Sequence, residues 1–273
     1  MKIVIRADAS IRMGTGHVMR CIALAQAWQQ EGGQVLFVMG IESPLLEVRL
    51  QAENMGVMHL SASLGSDEDV RQTVEIAQQV NADWIVVDGY QFGTAYQRGI
   101  KDAGFKLLIV DDYGHAEHYC ADLVLNQNIG ASEDLYANRE AYTQLLLGTQ
   151  YVLLRKEFWP WQGWQRQVPV IARKVLVTLG GSDPENVTLK VIQALQQLKL
   201  EELEVVVIVG GSNPHYEQLQ AAVQSSSCQI SLQQNVTNMP KLMAWADVAI
   251  AAGGSTNWEL VFMRLPTLII SLA

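Results

Sequence analysis

Residues 14–20 read Gly-Thr-Gly-His-Val-Met-Arg and follow a short apolar run that ends at Asp8. A histidine placed after two glycines, where a strand gives way to a helix, has open space beside it for a substrate. His17 opens a helical pattern over 17–31. The positive end of a helix disfavours imidazolium, so the ring is expected to be largely neutral near pH 7. A neutral imidazole can take a proton from water, which makes His17 the candidate general base. The alternative is a histidine that only caps the helix. Asp8 is expected to orient His17 or the substrate, and Arg6, Arg12 and Arg20 to steer an anionic ligand, the alternative being plain surface charge. Tyr90, in Asp88-Gly89-Tyr90, also sits at a strand end and is placed to touch a sugar or to pack against a loop.

Two further glycine turns fall where strands pass into helices, Leu179-Gly180-Gly181-Ser182-Asp183-Pro184-Glu185-Asn186 and Gly253-Gly254-Ser255-Thr256-Asn257-Trp258-Glu259. Glycines let a backbone approach a ligand closely, and a helix N-terminus offers unpaired N–H groups and a positive dipole end. Together they form an anion site. Gly253–Thr256 is the best diphosphate candidate, against the reading of an ordinary turn capped by Ser or Thr. Glu259 follows about one helical turn, ~6 Å, later. That matches the offset between a nucleotide's phosphates and its ribose diol, although a solvated glutamate would look the same. The first loop lacks the third glycine of a dinucleotide fingerprint, and such matches are weak. Asp111-Asp112 is not a DxD metal motif and reads as a turn. His115 and His118 share a polar stretch with Glu117 but show no third ligand, so a surface loop is the better reading.

Positioning these residues requires a βα array. Short apolar runs stand at 2–7, 34–38, 84–88, 106–110 and 123–125, and again at 174–178, 204–209, 229–232, 248–251 and 267–271. Continuously apolar strands are buried on both faces, as in parallel sheets covered by helices. Helical patterns such as 17–31, 67–80, 185–200 and 214–224 lie between them. This predicts an α/β protein. The rhythm breaks over 151–172, which holds Trp159, Pro160, Trp161, Trp164 and Pro169. The boundary is placed within 167–173, giving domains 1–168 and 169–273, each Rossmann-like, facing one another across a cleft. The chain stops directly after an apolar strand, at the ligand side of a parallel sheet, so the second domain is expected to be truncated and a fused C-terminal domain to follow.

Composition agrees with this class. Of 273 residues, 49% are apolar and 17% charged, which suits packed cores and excludes a disordered chain. The net charge of −9 argues against a basic nucleic-acid binder. No apolar run reaches the ~18 residues of a membrane span, and the N-terminus is too soon polar for a signal peptide. Cys21, Cys120 and Cys228 are far apart with no CxxC, which argues against a disulfide framework or structural zinc. A cytoplasmic protein with reduced thiols and no membrane partner is the expectation.

The block Arg6-Ala-Asp8-Ala-Ser10 with Gly14–Cys21 resembles the nucleotide-sugar hydrolases of pseudaminic acid biosynthesis, the PseG group, named SpsG in spore-coat polysaccharide operons. Asp88-Gly89-Tyr90, Val110-Asp111-Asp112, Leu125–Asn128, Tyr151–Phe158, Gly180–Asp183 with Asn186, and Gly253–Glu259 continue the resemblance over essentially the whole chain. It implies a two-domain GT-B fold like that of MurG. It also implies inverting, metal-independent hydrolysis of UDP-2,4-diacetamido-2,4,6-trideoxy-β-L-altropyranose to UDP and free sugar, on the route to flagellin glycosylation. His17 would be the base, with Asp8, Gly14, Thr15, Gly16, Arg20 and Tyr90 from the sugar-binding domain. Asn186 and Glu259 match positions that bind the nucleotide part, and Gly181, Ser182, Gly254, Ser255, Thr256 and Asn257 are further substrate-binding candidates. No cofactor or metal is implied. The family continues beyond the strand at 267–271, so some of its nucleotide and sugar contacts are expected to be absent here. A MurG-like transferase, a non-catalytic nucleotide-sugar-binding fragment and a 2-epimerase are the alternatives.

Overall fold

Ten residues into the chain the first strand is already complete. The computed structural model describes residues 1–10, 13–198, 200–211, 213–224, 226, 228–234 and 236–272. Arg12 lies outside the described residues. The elements of the first half are β1 (Lys2–Ala7), α1 (Gly16–Gln30), β2 (Gln34–Met39), α2 (Pro44–Ala52), β3 (Gly56–His59), α3 (Asp67–Gln79), β4 (Trp84–Asp88), α4 (Thr94–Asp102), β5 (Lys106–Val110), β6 (Leu123–Asn126) and β7 (Gln144–Leu147). The second half holds β8 (Lys174–Thr178), α5 (Val187–Gln196), β9 (Glu204–Val209), α6 (Tyr216–Gln224), β10 (Gln229–Gln234), α7 (Met239–Trp245), β11 (Val248–Ala252), α8 (Thr256–Phe262) and β12 (Thr267–Ile270).

Residues Met1–Ala9 and His17–Arg155 form one unit, and Ser10–Gly16 with Lys156–Ala273 the other. The first is built on a seven-stranded sheet in the order β3-β2-β1-β4-β5-β6-β7, with every pairing parallel. Alternation along β1 sends Ile3, Ile5 and Ala7 to one face, where they meet Val18, Cys21, Ile22 and Ala25 of α1. Val4 faces the other way, with Ile76 of α3 and Tyr96 and Ile100 of α4. Ser66 starts α3 by accepting from the Asp69 N–H at 3.2 Å, and Asp67, Glu68 and Asp69 favour the positive end of that helix.

The second unit carries a five-stranded parallel sheet, β10-β9-β8-β11-β12. One face is covered by Val191, Ile192 and Leu195 of α5, the other by Met243 of α7 and Leu260 of α8. The chain enters this unit after Arg155, ahead of the expected 168/169 boundary. The reason is Phe158, fully buried in the core with Leu176, Met243 and Leu260. Truncating such a ring costs about 3–5 kcal/mol. Arg166 continues the attachment, donating to the carbonyls of Met243, Ala246 and Met263, where helix ends leave acceptors unpaired. Helix α5 starts at Val187, two residues later than the pattern suggests, because Asp183 and Asn186 both turn at positive φ, 43° and 49°. The Asp183 carboxylate then caps the helix, accepting from the Val187 and Thr188 N–H groups at 2.9 and 2.8 Å. Among the described residues no helix is long and apolar enough to cross a membrane.

Candidate active site

The strand order of the first sheet reverses direction between β1 and β4, which lie side by side. Loops leaving the carboxyl ends of such a strand pair diverge, and ligands bind there in open α/β sheets. His17 follows β1 and Asp88 ends β4, so the topology itself brings them together. The Asp88 Oδ1 lies 2.6 Å from His17 Nδ1. A carboxylate at Nδ1 holds the proton on that nitrogen and leaves Nε2 as the acceptor. His17 is largely buried, its side chain 11% exposed.

Asp88 is itself held rigidly. Arg20, one turn along α1 from His17, donates Nε to Asp88 Oδ2 at 2.6 Å and Nη2 to Oδ1 at 2.7 Å. Its Nη1 donates to both oxygens of Asp112, at 2.7 and 2.9 Å. Two carboxylates thus share one guanidinium, a geometry that lysine could not satisfy. Burial alone pushes the Asp88 carboxyl up, but Arg20 outweighs it and holds the group below the usual carboxylate range. Asp112 is depressed by the same balance of burial against Arg20. Asp112 also accepts from Tyr90 Oη at 2.7 Å and from Asn128 Nδ2 at 2.8 Å. Gly89 permits the turn between Asp88 and Tyr90: its φ is 154°, and a Cβ there would come 2.8 Å from the Phe92 ring. Tyr90 stands edge-on to His17 with ring centroids 5.1 Å apart, and Tyr113 lies 5.0 Å beyond it. Both tyrosines are exposed and offer aromatic faces next to the histidine. Beneath Tyr113, Asp111 accepts from the N–H groups of Asp112, Tyr113 and Gly114, so the Asp-Asp pair does form a turn. His115 is half-buried, Nδ1 3.3 Å from Asp111, rather than part of a free surface loop. On the inner side of α1, the Cys21 thiol donates to Asp88 Oδ2 at 3.4 Å, and burial pushes its pKa well up.

Two expectations change. Asp8 does not orient His17: its Oδ2 accepts from Arg6 at 2.6 Å and its Oδ1 from the Gly40 and Ile41 N–H groups at 2.7 and 3.2 Å. Arg6 is fully buried, forked onto Asp69 at 3.0 and 2.8 Å, and its guanidinium lies over Phe92. Its side chain follows the β1 alternation into the α3/α4 face, so it braces the fold. Orientation of the histidine falls to Asp88, whose neighbours Gly89 and Tyr90 give no sign of that role. The signal available was a carboxylate at the carboxyl end of a buried parallel strand.

The remaining named residues belong to the second unit. There Thr15 packs on the turn after β8, and a Cβ at Gly181 would stand 2.8 Å from Thr15 Oγ1. A Cβ at Gly16 would stand 4.0 Å from Ser255 Oγ, so Gly14, Thr15 and Gly16 share this unit with Gly181 and Ser255. Ser182 is buried, Gly254 exposed with φ 145°, and Ser255 precedes α8 without a side-chain capping bond. Thr256 opens α8, which has only seven residues. Glu259 is buried on that helix. Asn186 donates Nδ2 to Gln218 at 3.0 Å. The Oδ1 atoms of Asn186 and Asn257 are buried and have no hydrogen-bond partner among the described residues. Buried acceptors without donors are uncommon and costly, about 1–3 kcal/mol each.

Residues 175–273 match the glycosyltransferase family 28 C-terminal domain. The chain is 25% identical to an uncharacterised protein of Methanocaldococcus jannaschii over 99% of its own length and 55% of that protein. It is 25% identical to the spore coat polysaccharide biosynthesis protein SpsG of Bacillus subtilis, over 99% of this chain and 77% of that one. Against the UDP-2,4-diacetamido-2,4,6-trideoxy-beta-L-altropyranose hydrolase of Campylobacter jejuni the identity is 23%, over 97% and 89% of the two chains. Among solved structures, Acinetobacter baumannii MurG superposes with a TM-score of 0.60 at 16% identity, over 100% of this chain and 79% of that one. The Staphylococcus aureus MnaA structure with UDP gives 0.64 at 13% identity, over 98% and 79%. These likenesses establish the fold as that of the GT-B proteins.

Proposed function

We propose, from the kinship of this chain with the PseG and SpsG proteins of the GT-B superfamily, that it hydrolyses a UDP-linked 2,4-diacetamido-2,4,6-trideoxy sugar at the anomeric carbon. The observation that carries this reading is the His17–Asp88 pair, with the ring's Nδ1 occupied by a carboxylate at 2.6 Å and Nε2 left as a base. Water attacks C1 as the bond from C1 to the diphosphate oxygen breaks. The water proton passes to His17 Nε2, and UDP leaves with the bonding electron pair. One displacement inverts the anomeric configuration. Asp88 stabilises the imidazolium that forms, as the acidic member of a catalytic triad does. The aromatic faces of Tyr90 and Tyr113 suit the apolar surface of a deoxy sugar.

The nucleotide is assigned to Gly14, Thr15, Gly16, Gly181, Ser182, Asn186, Gly254, Ser255, Thr256, Asn257 and Glu259. Glu259 accepts from the ribose diol in this reading. The unpartnered Oδ1 atoms of Asn186 and Asn257 support it, because a uracil N3–H and ribose hydroxyls are donors of the kind they lack. The match to a glycosyltransferase C-terminal domain favours a second reading, transfer to an acceptor hydroxyl instead of water.

Proton NMR of the chain with the UDP-altropyranose substrate and no acceptor separates the two. UDP and an initially inverted free sugar are expected for hydrolysis, whereas substrate that persists until an acceptor is added would establish transfer. His17→Asn should lower kcat by about 10²–10⁴-fold, the usual contribution of general base catalysis. UDP affinity should stay within about twofold, since binding and proton transfer are separate terms.

A further inference from the structure

Away from the His17 network, the first unit gathers a second set of potential ligands. Tyr119 and Arg139 form an isolated parallel bridge, closed by Tyr119 N–H to Asn138 O at 3.0 Å and Glu140 N–H to Tyr119 O at 2.9 Å. Side chains alternate across such a ladder. Tyr119 is buried in the core on one face, so His118 and Cys120, with Asn138 and Glu140, share the other. The backbone here is pinned from α4. Thr94 Oγ1 accepts from His118 N–H at 2.9 Å and donates to His118 O at 2.8 Å, and Gln97 Oε1 accepts from Cys120 N–H at 2.9 Å.

The hydrogen bonds also fix which imidazole nitrogen faces the other ligands. Asn138 donates Nδ2 to the Glu117 carbonyl, so its Oδ1 must face His118. That Oδ1 lies 2.8 Å from His118 Nδ1, which is therefore the protonated nitrogen. Nε2 is left pointing at Glu140 Oε1, 3.0 Å away. An imidazole whose second nitrogen donates to a fixed acceptor is the usual arrangement of a histidine that binds metal. The ligating atoms of His118, Cys120 and Glu140 all lie within 4.8 Å of one another. Tetrahedral zinc needs donor separations of about 3.3–3.5 Å, so closing the set takes ~1 Å of side-chain adjustment.

We infer that His118, Cys120 and Glu140 form a zinc site, with Asn138 orienting the histidine and solvent completing the tetrahedron. One nitrogen, one sulfur and one carboxylate oxygen select a borderline ion such as Zn²⁺ over Mg²⁺ or Ca²⁺. Binding forms the Zn–Sγ, Zn–Nε2 and Zn–Oε1 bonds and sends to solvent both the Cys120 thiol proton and the proton shared by His118 Nε2 and Glu140 Oε1. The ion ties the 115–122 segment to the 138–140 segment at the β6–β7 end of the sheet. His118, Cys120 and Glu140 make no bond to His17, Asp88, Arg20, Tyr90 or Asp112 among the described contacts, so the site is structural and separate from the proposed hydrolysis. Of the polar stretch that holds His115, Glu117 and His118, only His118 takes part, and the third ligand comes from Glu140.

The test is cobalt substitution of the EDTA-stripped, tag-free chain. One equivalent of Co²⁺ should produce thiolate-to-cobalt charge-transfer absorption, and one equivalent of Zn²⁺ should bleach it. Cys120→Ser should abolish the absorption, and Cys228→Ser should leave it intact. Asn138→Leu should weaken zinc binding by about 10–100-fold, the usual effect of removing a group that orients a ligand. Glu140→Gln, at a half-exposed position, should weaken it in a fully folded chain even if Cys120→Ser folds poorly. Absence of the cobalt–thiolate absorption in the parent chain, or its survival in Cys120→Ser, overturns the assignment.

Discussion

Replacing Asp88 by Asn keeps the side chain's size and removes its charge. The carboxylate accepts from His17 Nδ1 and from two nitrogens of Arg20, at 2.6, 2.6 and 2.7 Å. An amide satisfies one of these groups with its oxygen and presents N–H to another. If the oxygen stays with Arg20, the NH₂ faces His17 Nδ1, which must then accept, and the proton moves to Nε2. The base is lost through the wrong tautomer rather than through misplacement. The expected loss is the whole contribution of the base, about 10²–10⁴ in kcat, or about 2.7–5.4 kcal/mol of barrier. There is also a folding cost. Breaking one arm of a buried ion-pair network is worth about 3–5 kcal/mol, against a total stability of about 5–15 kcal/mol. Circular dichroism and a thermal melt therefore come first, and turnover is measured well below the variant's Tm. The decisive measurement is the double variant Asp88→Asn/His17→Asn. Residues acting as one unit are non-additive, so its kcat should match that of the worse single variant. Independent action would instead multiply the losses to about 10⁴-fold or more. A folded Asp88→Asn chain with parental kcat refutes the orientation argument.

Arg6→Met leaves Asp8 and Asp69 as buried carboxylates without their shared partner, and should cost about 3–5 kcal/mol in a urea melt. Glu259→Ala should raise KM about tenfold or more with kcat little changed, in line with a charged hydrogen bond of about 1.5–3 kcal/mol; steady-state kinetics checks it. The carboxyls of Asp69, Asp88, Asp111 and Asp112 are all held below their ordinary value. Such groups stabilise fully above the unfolded carboxyl range and lose that contribution as pH falls through their folded values. Stability should therefore be level for these groups above about pH 5 and decline below about pH 4, as a pH series of denaturant midpoints would record.

What was legible in the sequence follows from where the forces are local. Ile3-Val4-Ile5 and Val205-Val206-Val207 are buried on both faces, and continuous apolar runs of that kind identify β1 and β9 without further help. Strand β3 left no such trace, because Gly56, Met58 and His59 are exposed at the sheet edge and its register comes from β2. Strand β7, also at an edge, opens on exposed Gln144 and has no fully buried residue. In the site, His17 and Tyr90 stood out because glycines and strand ends mark them locally. The partnership of His17 with Asp88 spans 71 residues of sequence and exists only because β1 and β4 are neighbours. Asp8 misled for the same reason: it is close to His17 in sequence, yet its side chain is claimed by Arg6 and the backbone after β2.

Cys21 turns the interior of this site into something that can be timed. Its thiol is fully buried, donates to Asp88 and has its pKa pushed well up, so it reacts with a disulfide reagent only when α1 lifts from β1 and β4. Cys228 is half-buried and serves as the fast reference in the same molecule. In a Cys120→Ser chain, which lacks the other buried thiol, the slow phase of thiol exchange thus reads the opening frequency of the helix that carries both His17 and Arg20.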